Sequence, residues 1–320
     1  MAGKIHIATK SYLKGWAPEG LLRPVHVRYG PQKLKSPAGV GWRYQWWGDD
    51  DPELNQACED ACGPLESLIP SMLEDIEGRW PPLTEVRSVV AQFIALHILR
   101  TPAFRAWFVE AGERTSQQYV DQFSAEQYAR FVRLTRTDHE RSKQILRMLN
   151  KVATLVASMH WTLLCFEEAW LVTSDQPVGV FPLLDDGSRR QVVAFPPGGG
   201  LAETLELRFA LSPSAALICS WHVGHHREPV AGTWSQAMNI NGVVIAQADQ
   251  QWFHAPTQKP ALPPIVIVQP HMYDPIASDV IPGYNSATAR VSLLRIAAEK
   301  EVHRLSSAGD DSTMTVIQAE

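Results

Sequence analysis

The hydrophobic period of this chain changes twice along its length, and that change limits its fold more than any single motif does. Near the N-terminus Ile5 and Ile7 flank His6 in alternation, and strand-like runs follow at 25–29 and 43–47 around a Gly/Pro-containing connection. From about 52 to 151 the texture is helical, broken at Pro81-Pro82 and Thr101-Pro102. Within it Val86, Val89, Val90, Phe93 and Ile94 recur at three- and four-residue spacing, as a buried helical stripe requires. Beyond Met159 short apolar runs return at 161–166, 169–173, 178–181, 191–195, 205–211 and 216–221, punctuated by Asp185-Asp186-Gly187 and Pro196-Pro197-Gly198. An α+β fold satisfies this pattern: a helical layer packed on a mainly antiparallel sheet that draws strands from both flanks. One more helix is expected at 233–247, although Gly242 weakens it. Residues 1–255 read as a single domain, and 256–320 as a proline-rich extended wrap ending in a polar, acidic tail.

Composition narrows the function classes. With 45% hydrophobic and 20% charged residues the chain can build its own core. Its formal net charge of −5 offers no global attraction to nucleic acid, so any RNA contact must come from a local basic patch. Lys4, Lys10, Lys14, Glu19 and Arg23 interrupt the short apolar pieces of the first thirty residues, and no run is long enough to span a bilayer; a cytoplasmic protein without a membrane partner is expected. The four cysteines do not form the framework of a small secreted domain, and Cys58 and Cys62, one helical turn apart, lack the second close pair that a zinc site needs. Neither a metal nor a cofactor is expected. Gly198-Gly199-Gly200 lacks the spacing of a phosphate-binding loop, and Ser174-Asp175 and Ser212-Pro213 are not nucleophile elbows.

Five blocks carry a family resemblance. The segment IHIATKSYLKGWA at 5–17 is similar to the pattern HHYVPQFYLKNFA, keeping the second histidine as His6 and replacing the proline by Thr9. LEDIE at 73–77, QFIALHILRTPAFR at 92–105, WTLL at 161–164 leading into LVTSDQPV at 171–178, and FALSP at 209–213 followed by Met238-Asn239 complete the ordered set. Together they resemble the Domain of Unknown Function 4238 family over most of residues 5–254. That domain in turn resembles arginine-containing cyclodipeptide synthases, which couple amino acids delivered on tRNA. The resemblance implies aminoacyl-tRNA-dependent peptide-bond formation, with an aminoacyl-tRNA and an amino-acid substrate as partners.

Such a reaction needs a pocket for the aminoacyl ester, a base that keeps the attacking amine neutral, donors for the oxyanion and a basic track for the acceptor stem. His6 is the candidate proton-transfer group, or a structural histidine of an amphipathic strand, and Tyr12 is a second donor. Asp175, after Ser174 at a strand-to-turn junction, reads either as an exposed carboxylate for a cationic amine or as an Asx-type turn former. Glu77 reads either as a substrate-binding or as a solvated helix carboxylate. Gln92 and Arg100 share a helical face through Leu96, Arg105 lies beyond the proline break, and these three with Ser174 and Asn239 are candidates for binding substrate or for tying helices together. His6, Gln92, Arg100 and Asp175 are expected to approach one cleft. Arg133, Arg136, Lys143, Arg147 and Lys151 make a basic stripe within one helix, for phosphate or as a solvated face. Two rival readings stay open. Arg133 and His139 have the R-x5-H spacing of metal-independent helical ribonucleases, and the polar residues of a non-catalytic binding protein can be architectural alone.

Overall fold

The computed structural model describes residues 4–44, 52–102, 104, 120–136, 138–182, 204–221 and 227–262. The expected strands 191–195, the residue Arg105 and most of the proline-rich segment and tail therefore lie outside the described residues. The chain opens with β1 (Lys4–His6), a single helical turn α1 (Lys10–Leu13), β2 (Arg23–His26), β3 (Gly30–Pro31) and β4 (Trp42–Tyr44). The helical layer follows as α2 (Pro52–Gly78), α3 (Thr84–Leu99), α4 (Ala125–Arg136) and α5 (Asp138–Ser158). Then come β5 (His160–Cys165), β6 (Thr173–Ser174), β7 (Val178–Pro182), β8 (Thr204–Ser212), β9 (Ala215–Ser220), β10 (Val230–Ala231), α6 (Trp234–Gln247) and β11 (Gln251–His254). The fold is α+β, and among the described residues no helix is long and apolar enough to cross a membrane.

Among the described residues the strands form three sheets where one was expected. The largest has the order β10-β5-β9-β8-β7 and is antiparallel apart from the β10–β5 pair. Strands from both ends of the chain meet in a second, antiparallel sheet ordered β3-β2-β11-β6, and β1 pairs with β4 alone. The buried residues of the large sheet, among them Trp161, Leu163, Leu207, Phe209 and Leu217, share one core with the apolar stripe of α3 and with Ile145, Val152 and Val156 of α5. The 169–173 run is strand only at Thr173. Its remaining backbone groups are satisfied outside a ladder, because the Leu171 N–H donates to Pro213 and the Val172 N–H to the side chain of Asn241.

Two local features fix the path of the chain, one near each end. Gly41 sits at φ +65 beneath Ala8 and Leu13, where its carbonyl accepts from the Ile7 N–H at 2.7 Å and the Ala8 N–H at 3.2 Å. A side chain there would be strained in backbone and crowded by both neighbours, so only a glycine lets the backbone entering β4 approach the segment after β1 this closely. At the other end, α6 begins with a capping box in which the Gln236 N–H donates to the Thr233 hydroxyl and the Thr233 N–H to the Gln236 side chain. That cap starts the helix one residue into the expected range, and Gly242 does not interrupt it.

Candidate functional site

The tight turn after β1 brings His6 and Thr9 over the middle of α2 and the C-terminal end of α3. Arg100, only 1% exposed, ends α3 and directs its guanidinium back to the N-terminal segment. Its Nη2 donates to the Ile7 carbonyl at 3.3 Å, and its Nη1 stands 2.7 Å from Glu66 Oε1 on α2, an ion pair without hydrogen-bond alignment. Ser11 donates to the Glu66 carbonyl at 2.7 Å, which ties α1 to the same turn of α2. His6 is half-buried within the fields of Arg100 and Glu66; burial lowers its imidazole below 6.5, against a hydrogen bond to the Ala38 backbone that raises it. His97, fully buried one turn before Arg100, is lowered well below 6.5 by burial and by Arg100.

This cluster is short of partners. His6 Nε2, Thr9 Oγ1, Arg100 Nε and both ring nitrogens of His97 are buried and make no hydrogen bond among the described residues. Thr9 occupies the N-cap position of α1 yet its hydroxyl does not cap the helix. A buried polar atom without a partner costs about 1–3 kcal/mol, so several in one place mark a region shaped by something other than stability. The set contains an unprotonated imidazole, hydrogen-bond donors suited to an oxyanion and a carboxylate suited to an ammonium group.

Tyr12 closes the inner wall. Its hydroxyl donates to the Ala210 carbonyl at 2.7 Å and receives a bond from Thr173 Oγ1 at 2.8 Å, while its ring stacks on Phe209 at 5.3 Å and lies 6.0 Å from His97. Burial raises the phenol far above 10, so Tyr12 acts as a fixed strut between α1 and the two larger sheets. Gln92 lies two turns before Arg100, half-buried on α3.

Asp175 stands in a different network and corrects the expectation of an exposed carboxylate. It is 1% exposed, and it receives the N–H groups of Asp249 at 2.9 Å, Gln250 at 2.8 Å and Gln251 at 3.1 Å, with Arg43 at 3.4 Å. Arg43 pairs in turn with Asp249. The carboxylate thus clamps the turn that enters β11, and Ser174, also buried, accepts the Gln176 N–H in an adjacent side-chain turn. Of the four residues expected in one cleft, the structure brings Arg100 onto the backbone of Ile7, next to His6 and within reach of its charge, and gives Asp175 to the turn.

The other candidates are dispersed. Glu77 is exposed near the end of α2, where partial desolvation raises its carboxyl against a bond from the Ser212 hydroxyl. Asn239 is exposed on α6 and accepts from Arg208 of β8, which also pairs with Glu206; these residues line an open cleft of about 370 Å³ with Thr162, Ile218 and Gln236. The basic residues lie on two elements, Arg133 and Arg136 on α4 and Lys143, Arg147 and Lys151 on α5. Arg133 and Arg147 are exposed and Lys143 and Lys151 half-buried. Of the R-x5-H pair, Arg133 is on α4 and His139 on α5.

Glu66 and His97 are the members of the cluster that residue reading passed over. Glu66 is one acid among several on α2, and His97 sat unremarked inside the matching helix. A histidine in an otherwise apolar stripe was the available signal. Comparison with curated proteins and with solved structures returns no match. The family described as "Protein of unknown function (DUF4238)" matches residues 6–258, a span that begins at His6 and includes Thr9, Glu66, His97 and Arg100. By that match, the chain belongs to the DUF4238 family.

Proposed function

We propose that this protein transfers the aminoacyl group of an aminoacyl-tRNA to the amine of a second amino acid, as in cyclodipeptide synthesis. The observation that carries the reading is the half-exposed, neutral His6 near the ion pair of buried Arg100 with half-buried Glu66. In the reaction the amine attacks the ester carbonyl, a C–N bond forms and the C–O bond to the tRNA breaks. His6 takes the proton from the attacking amine and returns it to the departing 3′ oxygen. Arg100 Nε and the Thr9 hydroxyl supply donors for the developing oxyanion, and Glu66 attracts the substrate ammonium, which releases one proton to solvent to become the neutral attacking amine. Both steps conserve charge and need no cofactor. The exposed Arg133 and Arg147, on consecutive helices, supply sequence-independent attraction for phosphate.

The test is incubation of the purified protein with charged tRNA, followed by mass analysis of small products and gel analysis of the RNA. A dipeptide with intact tRNA is the expected result. His6→Ala should lower its rate by roughly 10²–10⁴-fold, the range for loss of a general base, while tRNA retention on a filter stays unchanged. The acid limb of the wild-type rate should fall below pH 6.5, since burial lowers the imidazole. Cleaved tRNA without dipeptide would reject the reaction.

A further inference from the structure

The β2–β3 ribbon reverses the sign of the chain locally. Between Leu22 and Lys35 it carries Arg23, Arg28, Lys33 and Lys35 and no Asp or Glu, in a protein whose formal net charge is −5. The ribbon is rigid where it carries these groups. Val25 pairs with Pro31 and His26 with Gly30, the Leu22 and Lys35 backbones exchange hydrogen bonds at 2.9 and 3.0 Å, and β2 is anchored along β11. Arg23 and Lys35 are both bonded to Gln32, which holds them on one stretch of the ribbon.

At the tip stands Tyr29, 79% exposed, the most exposed large hydrophobic side chain among the described residues. Its ring lies 4.5 Å from that of His26 at an interplanar angle of 38°, and the Arg28 N–H donates to His26 Nδ1 at 3.0 Å, which orients the imidazole beneath it. An aromatic ring held on a second ring, open to solvent and set among cations, is poorly explained by folding, because it buries little apolar area and concentrates like charge. It has the chemistry of a base-stacking platform with phosphate ligands beside it.

We propose that the β2–β3 ribbon binds single-stranded RNA, one base stacking on Tyr29 and the neighbouring phosphates pairing with Arg28, Lys33 and Lys35. A duplex keeps its base faces covered, so the ring selects an unpaired stretch. An acidic peptide would use the cations and leave the ring idle. The proposal rests on the reading of a tRNA substrate and deepens it: the unpaired acceptor end is what such a surface can grip, apart from the phosphate attraction of α4 and α5.

The test uses fluorescence anisotropy with a labelled oligoadenylate, the same strand annealed to oligouridylate, and an oligodeoxyadenylate, each titrated with the full-length protein over a range of NaCl. Single strands should bind more tightly than the duplex, and the ribo strand at least as tightly as the deoxy strand. Tyr29→Ala should weaken single-strand binding roughly tenfold, and Tyr29→Phe should restore it, since the stack needs only the ring. Lys33→Ala with Lys35→Ala should weaken both strand types and reduce the slope of log K against log salt by roughly one to two. Tyr29 and Lys33 are exposed, so folding is not at stake. Equal binding of duplex and single strand, indifference to Tyr29→Ala, or full competition by polyglutamate would each overturn the proposal. Strand binding that depends on Tyr29 without any dipeptide product rejects the reaction and leaves the surface standing; dipeptide formation that ignores Tyr29→Ala does the reverse.

Discussion

At the scale of single residues, what decides the role of a polar side chain is how many of its bonding sites the fold has already used. Asp175 and His6 show the two extremes. Asp175 receives three backbone N–H groups and faces Arg43, yet burial prevails and pushes its carboxyl from 3.8 up to about 6. Below its ordinary value it is protonated in the folded and unfolded chains alike. Between 3.8 and about 6 only the folded chain keeps the proton, so the folded state binds more protons and stability falls as pH rises through that window. Above about 6 the contribution is constant. Carboxyl-carbon NMR should therefore show Asp175 titrating near 6, and urea titrations should show a stability loss from pH 4 to 6 in the wild type that is absent in Asp175→Asn. A midpoint near 4 would return Asp175 to the class of ordinary carboxylates. The Asx-type reading of Asp175 expects a bond to its own local backbone, whereas its three donors come from residues more than seventy positions away, so neither its partners nor its burial were visible in the sequence.

At the scale of elements, periodicity was a good guide to helices and a partial one to strands. The α3 stripe and the late helix at 233–247 were legible because both depend on neighbours within one or two turns. The spread of the basic stripe over both α4 and α5 was not, since no proline or glycine stands among its residues. Strand partners were likewise hidden: β2 and β6 sit far apart in the chain and meet only through β11. The packing of α6 on the large sheet hangs on Gly179 of β7, where a Cβ would come within 2.8 Å of Val243 Cγ1 and 3.4 Å of the Arg208 carbonyl. Gly179→Ala should destabilise the protein by about 1–3 kcal/mol, as overpacking does. Adding Val243→Ala should recover part of that loss, giving a coupling of about 1 kcal/mol in a double-mutant cycle read by urea denaturation. Strict additivity would show that α6 shifts freely and that the glycine is not a packing site.

At the scale of the molecule, one buried amide joins two segments that lack regular structure to the same helix. Asn241 of α6 accepts the Val172 N–H at 2.9 Å and donates to the carbonyls of Trp170 at 2.8 Å and Ala261 at 2.7 Å, so a single side chain ties the loop before β6 and the segment after β11 to the same helix. Asn241→Leu removes the amide and leaves these buried groups unpaired, at a cost of about 2–4 kcal/mol in urea denaturation. It should also open the 170–172 backbone to hydrogen exchange while leaving β9 protected; unchanged exchange there would remove Asn241 from this role. Residue reading had singled out Asn239, two positions earlier, which is exposed and faces Arg208 instead. By itself the sequence determined the α+β class, the helical middle, the late helix and the family blocks, because these follow from local period and composition. Only the tertiary structure decided that Arg100 reaches Glu66 and the Ile7 backbone, that the His97 ring nitrogens have no hydrogen-bond partner among the described residues and that Asp175 is spent on a turn. Those outcomes depend on contacts distant in sequence, where burial, and not residue type, sets which polar atoms are left to act.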